Sequence, residues 1–211
     1  VTTLAISVGS GADDVGRRLT GDYYGNTDQN IFAGRYSSSY KQYGSGVRFT
    51  GITINHGDSI VSAVLTGTGA NLVGTGTAYS YLSALDADDA PTWPATAAEF
   101  DALFSAHTTA RVSWVIPSWP TAITRTSPEI ASVIQEVIDR PGWESGNALS
   151  LFWEDFDDRT STDNLRVIAS FDSSSFDPPE LTVEYTEGGG IVHPVIGSGI
   201  INSRAIIRGA A

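Results

Sequence analysis

The sequence predicts an all-β sandwich with two short peripheral helices and an extended C-terminal tail. Three observations predict it: short apolar runs punctuated by Gly, Ser, Thr, Asn and Asp, two stretches of helical period, and a terminal segment that changes character after Glu187. At 211 residues the chain suits one large domain or one domain plus appendages. We divide it into an N-terminal segment 1–45, a sandwich 46–187 and a tail 188–211.

In chain order, segment 1–45 is rich in Gly, Ser and Tyr and reads as hairpin strands joining the sandwich. Strands follow over 46–54, 59–66, 109–116, 148–153, 165–171 and 181–185, where β-branched and aromatic residues concentrate. In the run 59–65, Ile60, Ser62 and Val64 fall on one face and Val61, Ala63 and Leu65 on the other. Apolar side chains on both faces predict a central strand or covered faces. Gly67-Thr68-Gly69 and Gly74-Thr75-Gly76 continue neither to Gly-Lys-Ser/Thr nor into a helix, so they read as turns rather than phosphate loops.

The shorter helix is predicted from Thr96 and Glu99, which fit a capping box, with Phe100, Leu103 and Phe104 on its buried side. The longer one is predicted to start at Ser127-Pro128-Glu129: a hydroxyl N-cap, proline at the first helical position and an acid in the positive first turn. Ile130, Val133, Ile134, Val137 and Ile138 then recur at helical spacing until Pro141-Gly142.

Composition narrows the functions. A formal charge of −12 with carboxylates outnumbering bases two to one disfavours nucleic-acid binding. With no cysteine there is neither a disulfide nor a thiolate site. No run of about 18 apolar residues predicts a membrane span. The start of the chain lacks the basic and long apolar regions of a signal peptide, so the expected product stays in the cytoplasm or is packaged, although a processed secreted chain would look the same.

The order of framework residues resembles a known domain type. Arg48-Phe49, Ile52, Ile54, Gly57, Ile60, Ser62-Ala63 and Leu65 are similar to the opening of DNRLRE-like, carbohydrate-binding-module-like jelly rolls. The resemblance continues through Thr109-Ala110-Arg111-Val112-Ser113-Trp114, through Pro141-Gly142-Trp143 with Asn147-Ala148-Leu149, and through residues 178–185. It covers roughly 46–185 and implies a jelly-roll β-sandwich of the kind found in bacterial surface and secreted proteins and in virion proteins. These are framework residues, which specify fold better than function.

Candidate sites are few. Of the five tryptophans, Trp114, Trp143 and Trp153 sit in core or staple positions, whereas Trp93 and Trp119, each followed by proline in a loop, are candidates for glycan or protein contact. Tyr23, Tyr24, Tyr36, Tyr40 and Tyr43 supply either contact area or cover for a sheet edge. The acidic loops with Asp86, Asp88 and Asp89 and with Asp155, Asp157 and Asp158 are candidates for a structural calcium, the one cofactor considered, although neither has EF-hand spacing. His56, His107 and His193 are scattered, and no nucleophile elbow or zinc motif accompanies them. Carboxylates are abundant but no frame sets a pair across a cleft, so a non-enzymatic protein is expected.

The tail is the most distinctive feature. After three glycines it carries no acid, and its Ile and Val pairs are broken by Gly197, Gly199 and Gly209, so it can bury nothing within itself. The expected reading is docking: Ile191, Val192, Val195, Ile196, Ile200, Ile201, Ile206 and Ile207 bury apolar area on a neighbouring subunit while Arg204 and Arg208 pair with acids, about a hinge at 188–190. The tail also looks like the ends of some tailed-phage structural proteins. The expectation is a non-enzymatic virion structural protein of a tailed phage, a capsid decoration or fibre-type component at the virion surface. Its partners would be copies of itself or capsid and tail proteins, with no nucleic acid and no membrane. The alternative is a secreted carbohydrate-binding module, or a filament or sheath subunit, at the cell surface.

Overall fold

The computed structural model describes residues 1–188; the docking residues Ile191, Val192, Val195, Ile196, Ile200, Ile201, Arg204, Ile206, Ile207 and Arg208 lie outside the described residues. The described chain runs β1 (Thr2–Ser7), β2 (Asp14–Arg18), β3 (Tyr23–Gly25), β4 (Asn30–Arg35), β5 (Tyr43–Phe49), β6 (Ser59–Leu72) and β7 (Ala78–Ala84). It continues with α1 (Ala97–Phe104), β8 (Val112–Ile116), β9 (Thr124–Thr126), α2 (Ala131–Ile138), β10 (Leu149–Glu154), β11 (Asn164–Ala169) and β12 (Glu180–Thr186). All strand pairs are antiparallel.

The strands form one curled sheet whose main path is β1-β12-β6-β11-β4-β5-β10-β7-β8, with β9 beside β6 and the β2–β3 hairpin beside β5. The 14-residue β6 joins the two layers of this sandwich. Its first part pairs with β12, its middle with β9, and its end with β11 after a register shift. The layers enclose one main core that includes Val47, Phe49, Leu65, Ile116, Leu181, Val183 and the indoles of Trp114, Trp119, Trp143 and Trp153. The chain is thus all-β and sandwich-like, as its sequence predicts. The N-terminal segment supplies β1 to β4, with β1 pairing to β12 and β2 to β5.

Gly67 and Gly69 are not turn residues, because β6 runs straight through them. Their missing side chains serve packing: a Cβ on Gly67 would meet Ile168 Cδ1 at 2.7 Å, and one on Gly69 would press on the Trp119 ring at 2.9 Å. Gly74-Thr75-Gly76 does lie in the β6–β7 connection. On β6 the predicted two-sided burial applies only in part: Ala63 and Leu65 are buried, Ile60, Ser62 and Val64 of the other face are half-buried, and Val61, on the face of Ala63 and Leu65, is exposed.

The longer helix begins later than its sequence signature predicts. Ser127 Oγ accepts the Leu65 amide at 3.0 Å, and Glu129 accepts the Ala63 amide at 2.6 Å and the Ser62 hydroxyl at 2.7 Å. These side chains tie the segment to β6, and α2 starts at Ala131 with Ile130 at the cap and no side-chain cap. Its stripe, Val133, Ile134, Val137 and Ile138, is buried in the main core. In α1 the Thr96 cap forms as predicted, accepting the Glu99 amide.

A second core lies on the other face of β5 and β10, where Phe152 points away from Trp153 and meets Trp93, Phe100 and Phe104 with ring centroids 5.2–5.7 Å apart. Gly46 on β5 admits the Trp93 ring, which a Cβ would strike. Gly46→Val is therefore expected to cost about 2–3 kcal/mol by overpacking. Equilibrium denaturation checks this, and an unchanged midpoint would contradict it.

Candidate functional site

The strongest functional signal in the sequence is the tail, and its root rests on the turn between β5 and β6. The turn after Ile54 folds back on itself: Asp58 N–H donates to the Asn55 carbonyl, Asp58 Oδ2 accepts the Asn55 amide at 2.9 Å, and Gly57 takes φ 86°. Gln135 of α2 grips the turn from outside, donating to the Asp58 carbonyl at 3.0 Å and accepting the Ile60 amide at 2.7 Å. The remaining oxygen of the buried Asp58 carboxylate accepts the Gly188 amide at 2.8 Å. Gly188 lies so close to the Gly57 carbonyl that no side chain would fit. The hinge expected at 188–190 is therefore corrected at its first residue, which is seated on the sandwich. Exposed His56 belongs to this turn.

The aromatic candidates divide. Trp93 is 5% exposed with its indole N–H on the Asp13 carbonyl at 3.0 Å, and Trp119 is 1% exposed with its indole N–H on the Ile123 carbonyl at 2.7 Å. Neither offers a face to a sugar, which corrects their reading as exposed loop residues. The loops turn inward because Gly46 and Gly69 leave room for the rings. Trp114, Trp143 and Trp153 are buried, as expected. Of the tyrosines, Tyr43 is buried, and Tyr23, Tyr40 and Tyr43 surround the Arg18 guanidinium at 4.5–5.6 Å from their ring centres. Tyr24 donates to the Pro94 carbonyl at 2.6 Å, leaving Tyr36 and Tyr40 as the exposed pair.

The acidic loops are already occupied by protein donors. Arg140 pairs with Asp86 and, at 2.6 Å, with Asp88, while Asp89 accepts the Ala148 amide. In the other loop, Asp155 accepts the Arg159 and Thr160 amides, Asp157 pairs with Arg111, and Asp158 with Lys41 and Arg35. Among the described residues no group of three or more His, Cys, Asp or Glu is arranged to hold a metal. The oxygens of Asp86, Asp88, Asp89, Asp155, Asp157 and Asp158, the candidates for calcium, accept from protein donors here and fix their loops.

Perturbed groups do not open onto a cleft. Burial pushes the Asp14 carboxyl up to about 7, with Asp172, Asp13 and Asp28 adding to the rise and the Phe171 amide opposing it at 2.6 Å. At 1% exposure it is sealed from any substrate. Burial likewise raises Glu154, countered by Arg111 at 2.5 Å. Arg166 is buried against carbonyls alone, those of Val73, Leu165, Gly76 and Ile116, and burial lowers its guanidinium to about 10, with Arg125 contributing. It pins the β6–β7 connection and β8 to β11.

Open concavities lie on the outer face of the layer formed by β1, β12, β6 and β9. Two adjoining hollows of about 450 and 390 Å³ share Thr68, Thr124 and Asp177. Sequence reading missed them because their residues come from separate strands and carry no local motif.

No protein-family profile matches the chain, and a search of curated proteins finds no significant relative.

Proposed function

We propose that this protein is a non-enzymatic structural subunit that docks to neighbouring subunits through its C-terminal tail. The reading is supported by the segregation of charge and apolarity at a fixed exit point. All 24 acids lie before residue 188, against ten of the 12 bases, so the body carries a formal −14 and the tail +2. The body's acidity attracts a basic tail from a second copy, and the tail's Ile and Val pairs add apolar area to that contact. The observation that carries the proposal is the seating of Gly188 on Asp58, which gives the tail one point of departure.

The wider setting we propose is a tailed-phage virion, with the protein as a capsid decoration or fibre-type component at the particle surface and a DNRLRE-like jelly roll as its body. An extracellular filament or sheath would use the same contact. The carbohydrate-binding reading through Trp93 and Trp119 is not retained, since both rings are buried.

The test is competition. A peptide of residues 189–211 added in excess is expected to dissociate assemblies of the full chain. Assemblies indifferent to the peptide would place the contact elsewhere and overturn the proposal.

A further inference from the structure

We propose that the sandwich holds a monovalent inorganic anion, chloride, between the guanidiniums of Arg125 and Arg166. The arginines of the described residues fall into two groups. Arg17, Arg35, Arg48, Arg111, Arg140 and Arg159 pair with carboxylates, and Arg18 lies among three tyrosine rings. Arg125 and Arg166 belong to none of the ion pairs among the described residues. The body carries a formal −14, so acids are plentiful, yet neither of these two bases has one.

The two side chains approach each other from different strands. Arg125 on β9 is the register partner of Gly67 on β6, while its neighbours Thr124 and Thr126 face outward. Arg166 on β11 shares a face with Ile168, and Ile168 Cδ1 lies over that same Gly67. Both guanidiniums also reach the β8–β9 connection: Arg166 Nη2 donates to the Ile116 carbonyl at 3.3 Å, and Arg125 Nη2 to the Ser118 carbonyl at 3.0 Å. Arg166 has five N–H groups, of which those on Nη1 and Nη2 meet the carbonyls of Val73, Leu165, Gly76 and Ile116. Its Nε–H is sealed from solvent and has no partner among the described residues, and the same holds for Arg125 Nε–H.

The missing partner must bring negative charge. Arg166 is 1% exposed, and although burial and Arg125 lower its guanidinium to about 10, it is still charged at neutral pH. Carbonyl dipoles satisfy donors but do not neutralise a buried cation, and an uncompensated buried charge is strongly destabilising. Donor number selects the ion. Two orphan N–H groups suit a single-atom anion, whereas phosphate or sulfate would bury several oxygens without donors. A carboxylate from another chain cannot reach Arg166 at that burial. The ion would enter past Arg125, which is only half-buried. This site is independent of tail docking, and either can fail without the other.

The experiment is thermal unfolding of the full chain in sodium chloride, bromide and gluconate at equal ionic strength, with a bromide anomalous map of the unaltered crystalline protein. An ion that binds only the folded state raises the midpoint in proportion to the logarithm of its concentration once it exceeds the dissociation constant. Chloride and bromide should raise the midpoint by about 3 °C or more over gluconate. Arg125→Met keeps much of the side chain's length while removing one charge and one donor, and should abolish the difference. The bromide peak should lie within hydrogen-bond reach of Arg166 Nε, a readout that needs no variant. Equal midpoints in halide and gluconate, a halide effect that persists in Arg125→Met, or a map with no bromide at the pair would overturn the proposal.

Discussion

Trp153→Ala is expected to destabilise the sandwich by about 3–5 kcal/mol, the usual cost of emptying a fully buried aromatic site. Trp153 is 0% exposed, and its indole N–H donates to Ser80 Oγ at 2.9 Å. Its ring packs 5.7 Å from Trp114 and 6.3 Å from Trp119, and those two lie 5.6 Å from each other. Because β10, β8 and the loop after β8 each contribute one indole, the surroundings cannot close over the gap without moving two strands. Against a total stability of about 5–15 kcal/mol, such a loss is a large fraction. Trp153→Phe should cost less, about 1–2 kcal/mol, since Ser80 keeps its bond to the Trp114 carbonyl. Urea denaturation checks both: the midpoint should fall with little change in slope, and a shift worth under 1 kcal/mol for the alanine variant would contradict this packing.

Asp14→Asn is expected to stabilise the protein, and only above mildly acidic pH. Burial raises the folded carboxyl to about 7 from an ordinary 3.8, so the folded chain holds a proton that the unfolded chain gives up. Its contribution is intact below 3.8 and is lost as pH rises through 7. The facing groups deepen this. Asp172 and Asp28 bring further negative charge, and Asp13 does so although Arg48 pairs with it at 2.7 Å. An asparagine oxygen can still accept the Phe171 amide without ionising. The variant should match the parent at pH 4 and exceed it by about 2–4 kcal/mol at pH 8, an order-of-magnitude limit set by the shift. Denaturation curves across that range decide it, and a difference that does not vary with pH would rule out Asp14 as its source.

How much of this was legible in the sequence depends on the range of the interactions involved. Alternation and β-branched runs predicted strands that occur, because both depend on local spacing. Thr96 and Glu99 predicted a cap that forms for the same reason. Ser127 and Glu129 satisfied the same local rules, yet their oxygens are taken by backbone amides of β6 more than sixty residues away. Gly67 and Gly69 read as turns because a missing side chain looks the same in a turn and beneath Ile168 or Trp119. Trp93 and Trp119 read as exposed for the converse reason, since their partners become visible only once the strands are paired. The outer hollows were illegible altogether, being assembled from β6, β9 and the β11–β12 connection.

The central claim is that association runs through the tail, and the most direct test is solution mass. Light scattering at several concentrations would compare the full chain with one ending at Gly188, which retains the seat on Asp58. The account predicts that the full chain grows in mass with concentration while the shortened one stays at the mass of a single chain. If both remain single chains, or both associate alike, docking of this protein to its own copies through residues 189–211 is contradicted.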